Sequence, residues 1–94
     1  MKSDCTVVHN TAERRYELDL KGDRAVLEYV ELPGVLVLTH TGVPKRHEGR
    51  GIGSELVRAA LEDIRDRGLR VVPQCRFVER WIRRHPEWEE IVAE

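Results

Sequence analysis

Apolar residues recur along this chain with two different periods, and the switches between them mark out its elements. Thr6 to His9 reads as a short strand. From Arg14 to Leu20 every second residue is apolar: Tyr16, Leu18 and Leu20 fall on one side, Glu17 and Asp19 on the other. That is the period of a half-buried strand. Lys21-Gly22-Asp23 reads as a turn. Arg24 to Glu31 alternates again, with Ala25, Leu27 and Tyr29 against Val26, Glu28 and Val30, so the two segments form an antiparallel hairpin. Pro33-Gly34 breaks the chain. Val35 to Thr39 is then a continuous β-branched and leucine run, which predicts a strand buried on both faces, and Val71-Val72 is a second, shorter one.

Between those two runs the period becomes helical. Ile52, Leu56, Ala60 and Ile64 recur every four residues with Val57 and Leu61 beside them, while Arg58, Glu62, Arg65 and Asp66 fill the opposite face. Gly68 stands where a C-terminal cap belongs. A second helix is predicted over Cys75 to Arg84, burying Phe77, Val78, Trp81 and Ile82. Pro86 opens a last short one through Trp88 and Ile91. The order is α/β: antiparallel strands, a long helix, a strand, then short helices. The crossover from Val35–Thr39 through the long helix should set Val71-Val72 beside it in parallel.

Composition narrows the setting. Ninety-four residues, 40 % of them hydrophobic, make one domain, residues 1–94, with one core. Basic and acidic residues nearly balance, 16 against 17, so a sequence-blind grip on nucleic acid is not expected. Two cysteines, Cys5 and Cys75, make no disulfide framework, and no Cys/His spacing resembles a zinc site. No apolar run is long enough to span a bilayer, and Met1 to Asn10 lacks the apolar stretch of a signal peptide. The expected location is cytoplasmic, away from membranes.

The most informative stretch is Gly49-Arg50-Gly51-Ile52-Gly53-Ser54, which follows a strand and opens the long helix. Glycines at alternate positions remove every second side chain, so the first amides of the helix can meet a ligand at close range. An anion there finds unpaired donors and the positive end of the helix dipole. A glycine-rich tight turn is the plainer reading. No Lys follows the last glycine, as a nucleotide-triphosphate loop requires, and G-x-G-x-G late in the chain is not the dinucleotide G-x-G-x-x-G.

Glu48-Gly49-Arg50-Gly51-Ile52-Gly53 resembles motif A of the GNAT N-acetyltransferases, Arg/Gln-x-x-Gly-x-Gly/Ala at a helix start. The glycines match. Glu48 stands where the family has Arg or Gln, and is expected to turn away, leaving the positive charge to Arg46 or Arg50. The chain is further similar to the short YjdJ-type subgroup through Leu38 to Pro44, the glycine loop with its helix, and Val71 to Val78 continuing through Ile82 to Glu87. This resemblance implies a GNAT-like acyl-CoA N-acyltransferase fold with two splayed parallel strands, and acetyl-CoA as the cofactor. The pantetheine arm would lie against Thr41, Gly42 and Val43. The pyrophosphate would sit on the amides of Arg50, Gly51, Ile52, Gly53 and Ser54, beside Gly49. Arg46 and His47 are placed for the 3′-phosphate.

His40 and Cys75 fall near the ends of the two strands that should splay, which puts both near the expected thioester. Histidine can act as base towards an ammonium acceptor. A cysteine at a helix start can be a nucleophile if its pKa falls, and in the resembling subgroup the matching cysteine is proposed as catalytic. The plainer readings are a hydrogen-bonded strand-end histidine and a small buried cysteine. Tyr16 and Tyr29, both on the early hairpin, give no good acid for a departing thiolate. Arg76, Arg80, Arg83 and Arg84 fall on one face of the second helix: a solvated face, a 3′-phosphate site or a contact for an acidic partner. The expected activity is transfer of an acetyl group to a primary amine of unknown identity. The alternatives are a module that holds acyl-CoA without turnover and an interaction protein with no coenzyme affinity.

Overall fold

Residues 6–93 are described by a computed structural model; Cys5 lies outside them. Five strands form one sheet in chain order: β1 (Val7–Asn10), β2 (Arg15–Leu20), β3 (Asp23–Leu32), β4 (Val35–Gly42) and β5 (Arg70–Pro73). The first four form an antiparallel meander, and β5 joins β4 in parallel after the crossover helix α1 (Ile52–Asp66). A second helix, α2 (Arg76–Arg84), and a 3₁₀ segment, Pro86–Ile91, complete the fold. The mixed sheet and its parallel pair are as the periods predict.

One face of the sheet carries the core. Leu18, Leu27, Leu38, Leu56, Leu61, Ile64 and Val71 are fully buried between strands and helices, each contributing on the order of 1.5–3 kcal/mol by leaving water. The other face is uncovered. That corrects the reading of Val35–Thr39 as buried on both sides: Leu36 and Leu38 are buried, whereas Val35 and Val37 are only half-buried. Phe77, expected in the core, is 38 % exposed.

Two details of β4 position the site. Its register against β3 shifts between Glu28 and Tyr29: Tyr29 faces Leu38 and Glu28 faces His40, so Thr39 is an extra residue. Its hydroxyl donates to the Glu28 carbonyl at 3.2 Å and helps hold this bulge. Beyond the bulge the inward position passes to Thr41, opposite the buried Leu27, and His40 turns outward with Gly42 and Val26. Secondly, β5 follows β4 only as far as Leu38 opposite Pro73. The Cys75 amide still donates to the Leu38 carbonyl at 2.9 Å, and then β4 runs on to Gly42 without β5 beside it.

Helix α1 ends as its Gly68 predicts. That residue has φ 72°, the Leu69 amide donates to the Ile64 carbonyl and the Gly68 amide to the Arg65 carbonyl, both at 3.0 Å. This is a Schellman closure.

Candidate functional site

The other end of α1 opens on a cavity of about 410 Å³. Gly51 is the residue before the helix, with φ 80°, and Gly49 shares the left-handed region at φ 83°. A side chain is strained at either place, so glycine is what the loop geometry asks for. The first intrahelical bond runs from the Glu55 amide to the Gly51 carbonyl at 3.0 Å, and no side chain caps the helix. The amides of Ile52, Gly53 and Ser54 therefore have no intrahelical partner. Gly53 is tight for a different reason: a Cβ built there would meet the Phe77 ring at 2.8 Å. Phe77 is thus placed against the first turn of α1, on the cavity wall, rather than in the core.

Thr41, Val43, His47, Gly49, Gly51, Ile52, Gly53 and Ser54 all line this cavity, as does Glu48. Glu48 is itself exposed, at the rim of the cavity. Arg46 and His47 share one partner: the Asp23 carboxylate accepts from Arg46 Nε at 2.6 Å and meets His47 Nε2 at 3.0 Å. The Arg46 guanidinium, first among the causes, holds the Asp23 carboxyl below its usual range. Arg46 is thereby turned from the cavity. His47 keeps its place on the wall, and its Nδ1 is buried with no hydrogen-bond partner. Arg50 is exposed and lines neither wall nor ion pair among the described residues.

Cys75 precedes α2 and is half-buried, with its sulfur 3.5 Å from the Thr41 hydroxyl. Burial pushes its thiol pKa up. The Thr41 hydroxyl and the amides of Val78 and Phe77, which face the sulfur without closing a full cap bond, outweigh that, and the net shift is downward. Thr41 thus connects Cys75 to the cavity. His40 does not join them. It is exposed on the bare face, beside Gly42 and opposite the half-buried Glu28. The bulge at Thr39 separates the two candidate chemical groups onto opposite faces of the sheet.

An uncapped helix start behind paired glycines thus lies beside the end of β4 that runs on past β5. Residues 15–91 match the profile of the GCN5-related N-acetyl-transferases. The chain belongs to this family. It is 35 % identical over 83 residues to Protein NATD1 of Bos taurus, covering 85 % of this chain and 74 % of that protein. The human NATD1 is 34 % identical over the same shares of the two chains. A solved structure, a GCN5-like protein from Staphylococcus aureus determined by NMR, superposes with a TM-score of 0.74 at 20 % identity. The match covers 98 % of this chain and 91 % of that one. The GNAT fold and the membership of an N-acetyltransferase family follow. Among the described residues no helix is long and apolar enough to cross a membrane.

Reasoning from the sequence missed Asp23 and Phe77 as parts of the site. Phe77 sits at a helical core position and reads as apolar filling. Asp23 opens β3, 23 residues before Arg46, and nothing local connects them.

Proposed function

We propose that this protein binds acetyl-CoA at the start of α1 and transfers its acetyl group to a primary amine. The observation that carries this reading is the row of three unpartnered helix amides opening on a cavity beside the free end of β4. The residues fit the coenzyme in three respects. The amides of Ile52, Gly53 and Ser54 are donors for a pyrophosphate. The end of β4 at Thr41 and Gly42, with Val43 after it, has no β5 neighbour and can pair with an amide-bearing arm. His47, whose buried Nδ1 has no hydrogen-bond partner, lines the same wall. When bound, coenzyme A supplies an acetyl group activated as a thioester.

The remaining roles fall to the two groups on either side of β4. Cys75, with its thiol pKa lowered, is the nucleophile or the neighbour of the thioester. His40 takes the proton of an ammonium arriving from the bare face. A second reading, a module that holds acyl-CoA without turnover, draws on the separation of His40 from Cys75 and on the uncovered face around His40.

The deciding experiment is the thermal midpoint with and without acetyl-CoA, with the intact mass recorded alongside. At a hundredfold excess over Kd the midpoint should rise by about 10 °C or more. An added acetyl group that disappears in Cys75→Ala assigns the nucleophile. A rise with no acetylation of protein or amine favours the holding module. No rise and no adduct would sink the coenzyme reading and leave the glycine loop as a turn.

A further inference from the structure

A second, smaller cavity of about 170 Å³ adjoins the first. Its walls are Ser54, Phe77, Arg80, Trp81, Arg84 and His85. Ser54 and Phe77 belong to both cavities, so one extended ligand can occupy the two together. Its floor is fixed. Trp81 Nε1 donates to the Ser54 hydroxyl at 2.6 Å, and the His85 ring stacks on Trp81 with centroids 3.8 Å apart. His85 Nδ1 also lies 2.8 Å from the Trp81 carbonyl.

The cations around this cavity divide into engaged and free. Arg83 pairs with Glu79 at 3.4 Å, and Arg58 lies over the Trp81 ring. Arg46 and His47, on the other side of the glycine loop, each pair one nitrogen with Asp23, Arg46 through Nε and His47 through Nε2. Arg80 and Arg84 form no ion pair or hydrogen bond among the described residues. They are four apart on α2, hence neighbours on one helix face.

We propose that Arg80 and Arg84 form the subsite for the 3′-phosphate of coenzyme A, so that the adenosine end of the ligand runs along α2. Two guanidiniums beside a phosphate dianion give short, charge-assisted, forked hydrogen bonds. The same arrangement assigns a function to half of the arginine face of α2 and places the phosphate away from Arg46 and His47. The proposal rests on the coenzyme reading above, and its test separates the two.

The measurement is calorimetric titration of the purified protein with coenzyme A and with dephospho-coenzyme A, which lacks only that phosphate. The native protein should prefer coenzyme A by about tenfold or more, and the preference should shrink as salt is raised. Arg80→Gln/Arg84→Gln should bind both ligands as the native protein binds dephospho-coenzyme A. Arg83→Gln, outside the cavity, should keep the native preference. Equal affinity of the native protein for the two ligands would overturn the proposal, and so would a double variant that weakens both by the same factor. A native protein that binds neither ligand removes the coenzyme reading itself.

Discussion

At its C-terminal end α1 is capped and tied to the sheet. The Schellman bonds satisfy the last carbonyls, and a cluster of side chains from three strands ties the last turns to the sheet. Tyr16 donates to Asp63 at 2.8 Å, Arg67 pairs with the same carboxylate at 3.0 Å, and the His9 ring stacks on Tyr16 at 4.2 Å. His9 Nε2 lies 2.6 Å from the Tyr29 hydroxyl, and its Nδ1 lies 3.2 Å from Asp63. Burial, then the Asp63 carboxylate, pushes the Tyr16 phenol far above its ordinary pKa. At the N-terminal end the same helix has glycines, no capping side chain and a cavity. One end uses its polar groups internally and so serves stability. The other leaves donors unused, which costs stability and is tolerated where a ligand completes them.

The contrast breaks first at the open end. Gly51→Glu should abolish coenzyme binding in a calorimetric titration, because a side chain and a like charge would occupy the pyrophosphate position. Unchanged affinity would remove the cradle. At the closed end, Asp63→Ala should lower stability by about 2–3 kcal/mol in a denaturant titration, since Tyr16, Arg67 and His9 lose a shared acceptor. Coenzyme affinity should stay native; a loss of affinity would mean that the two ends of α1 are coupled. The smallest effect is a pH dependence. Burial, the largest cause, lowers the pKa of His9 below the ordinary histidine value. The unfolded chain therefore takes up a proton more readily than the folded one. The His9 contribution is full above pH of about 6.5 and is lost as pH falls through the lowered folded value. Denaturant midpoints at pH 8 and pH 5 should show the decline, and His9→Gln should flatten it. An equal decline in the variant would assign it elsewhere.

How much of this was legible in the sequence depends on the distance over which each feature is encoded. The hairpin, α1 and its Gly68 closure follow from residues a few positions apart, and the structure reproduces them within a residue or so. Strand β1 starts and ends one residue later than Thr6–His9. The bulge was not legible. Val35 to Leu38 contains no polar residue to mark which side faces the core, so the residue inserted next, Thr39, leaves no break in the pattern. Yet that insertion decides that Thr41 faces Cys75 and His40 does not. The cluster at the closed end was equally hidden, since His9, Tyr16, Tyr29, Asp63 and Arg67 come from four separate elements and the residue after α1. In the glycine loop the spacing was informative because the backbone, not a partner elsewhere, does the binding.

The pairing of β4 with β5 also has a consequence for assembly. The meander β1 to β4 is built from neighbouring hairpins, whereas β5 reaches β4 only by pairing Arg70 with Val35 across the whole crossover. Closing so long a loop has an entropic cost that local pairings do not bear, and it slows folding. A chain emerging from synthesis N-terminus first can complete its four-stranded meander and carry the glycine loop before β5 exists. Its cavity is still incomplete, because the wall residue Phe77, on α2 beyond β5, is missing. The cavity therefore gains its last wall only after β5 has been made, and a chain cut short before Arg70 would keep the motif and lack that wall.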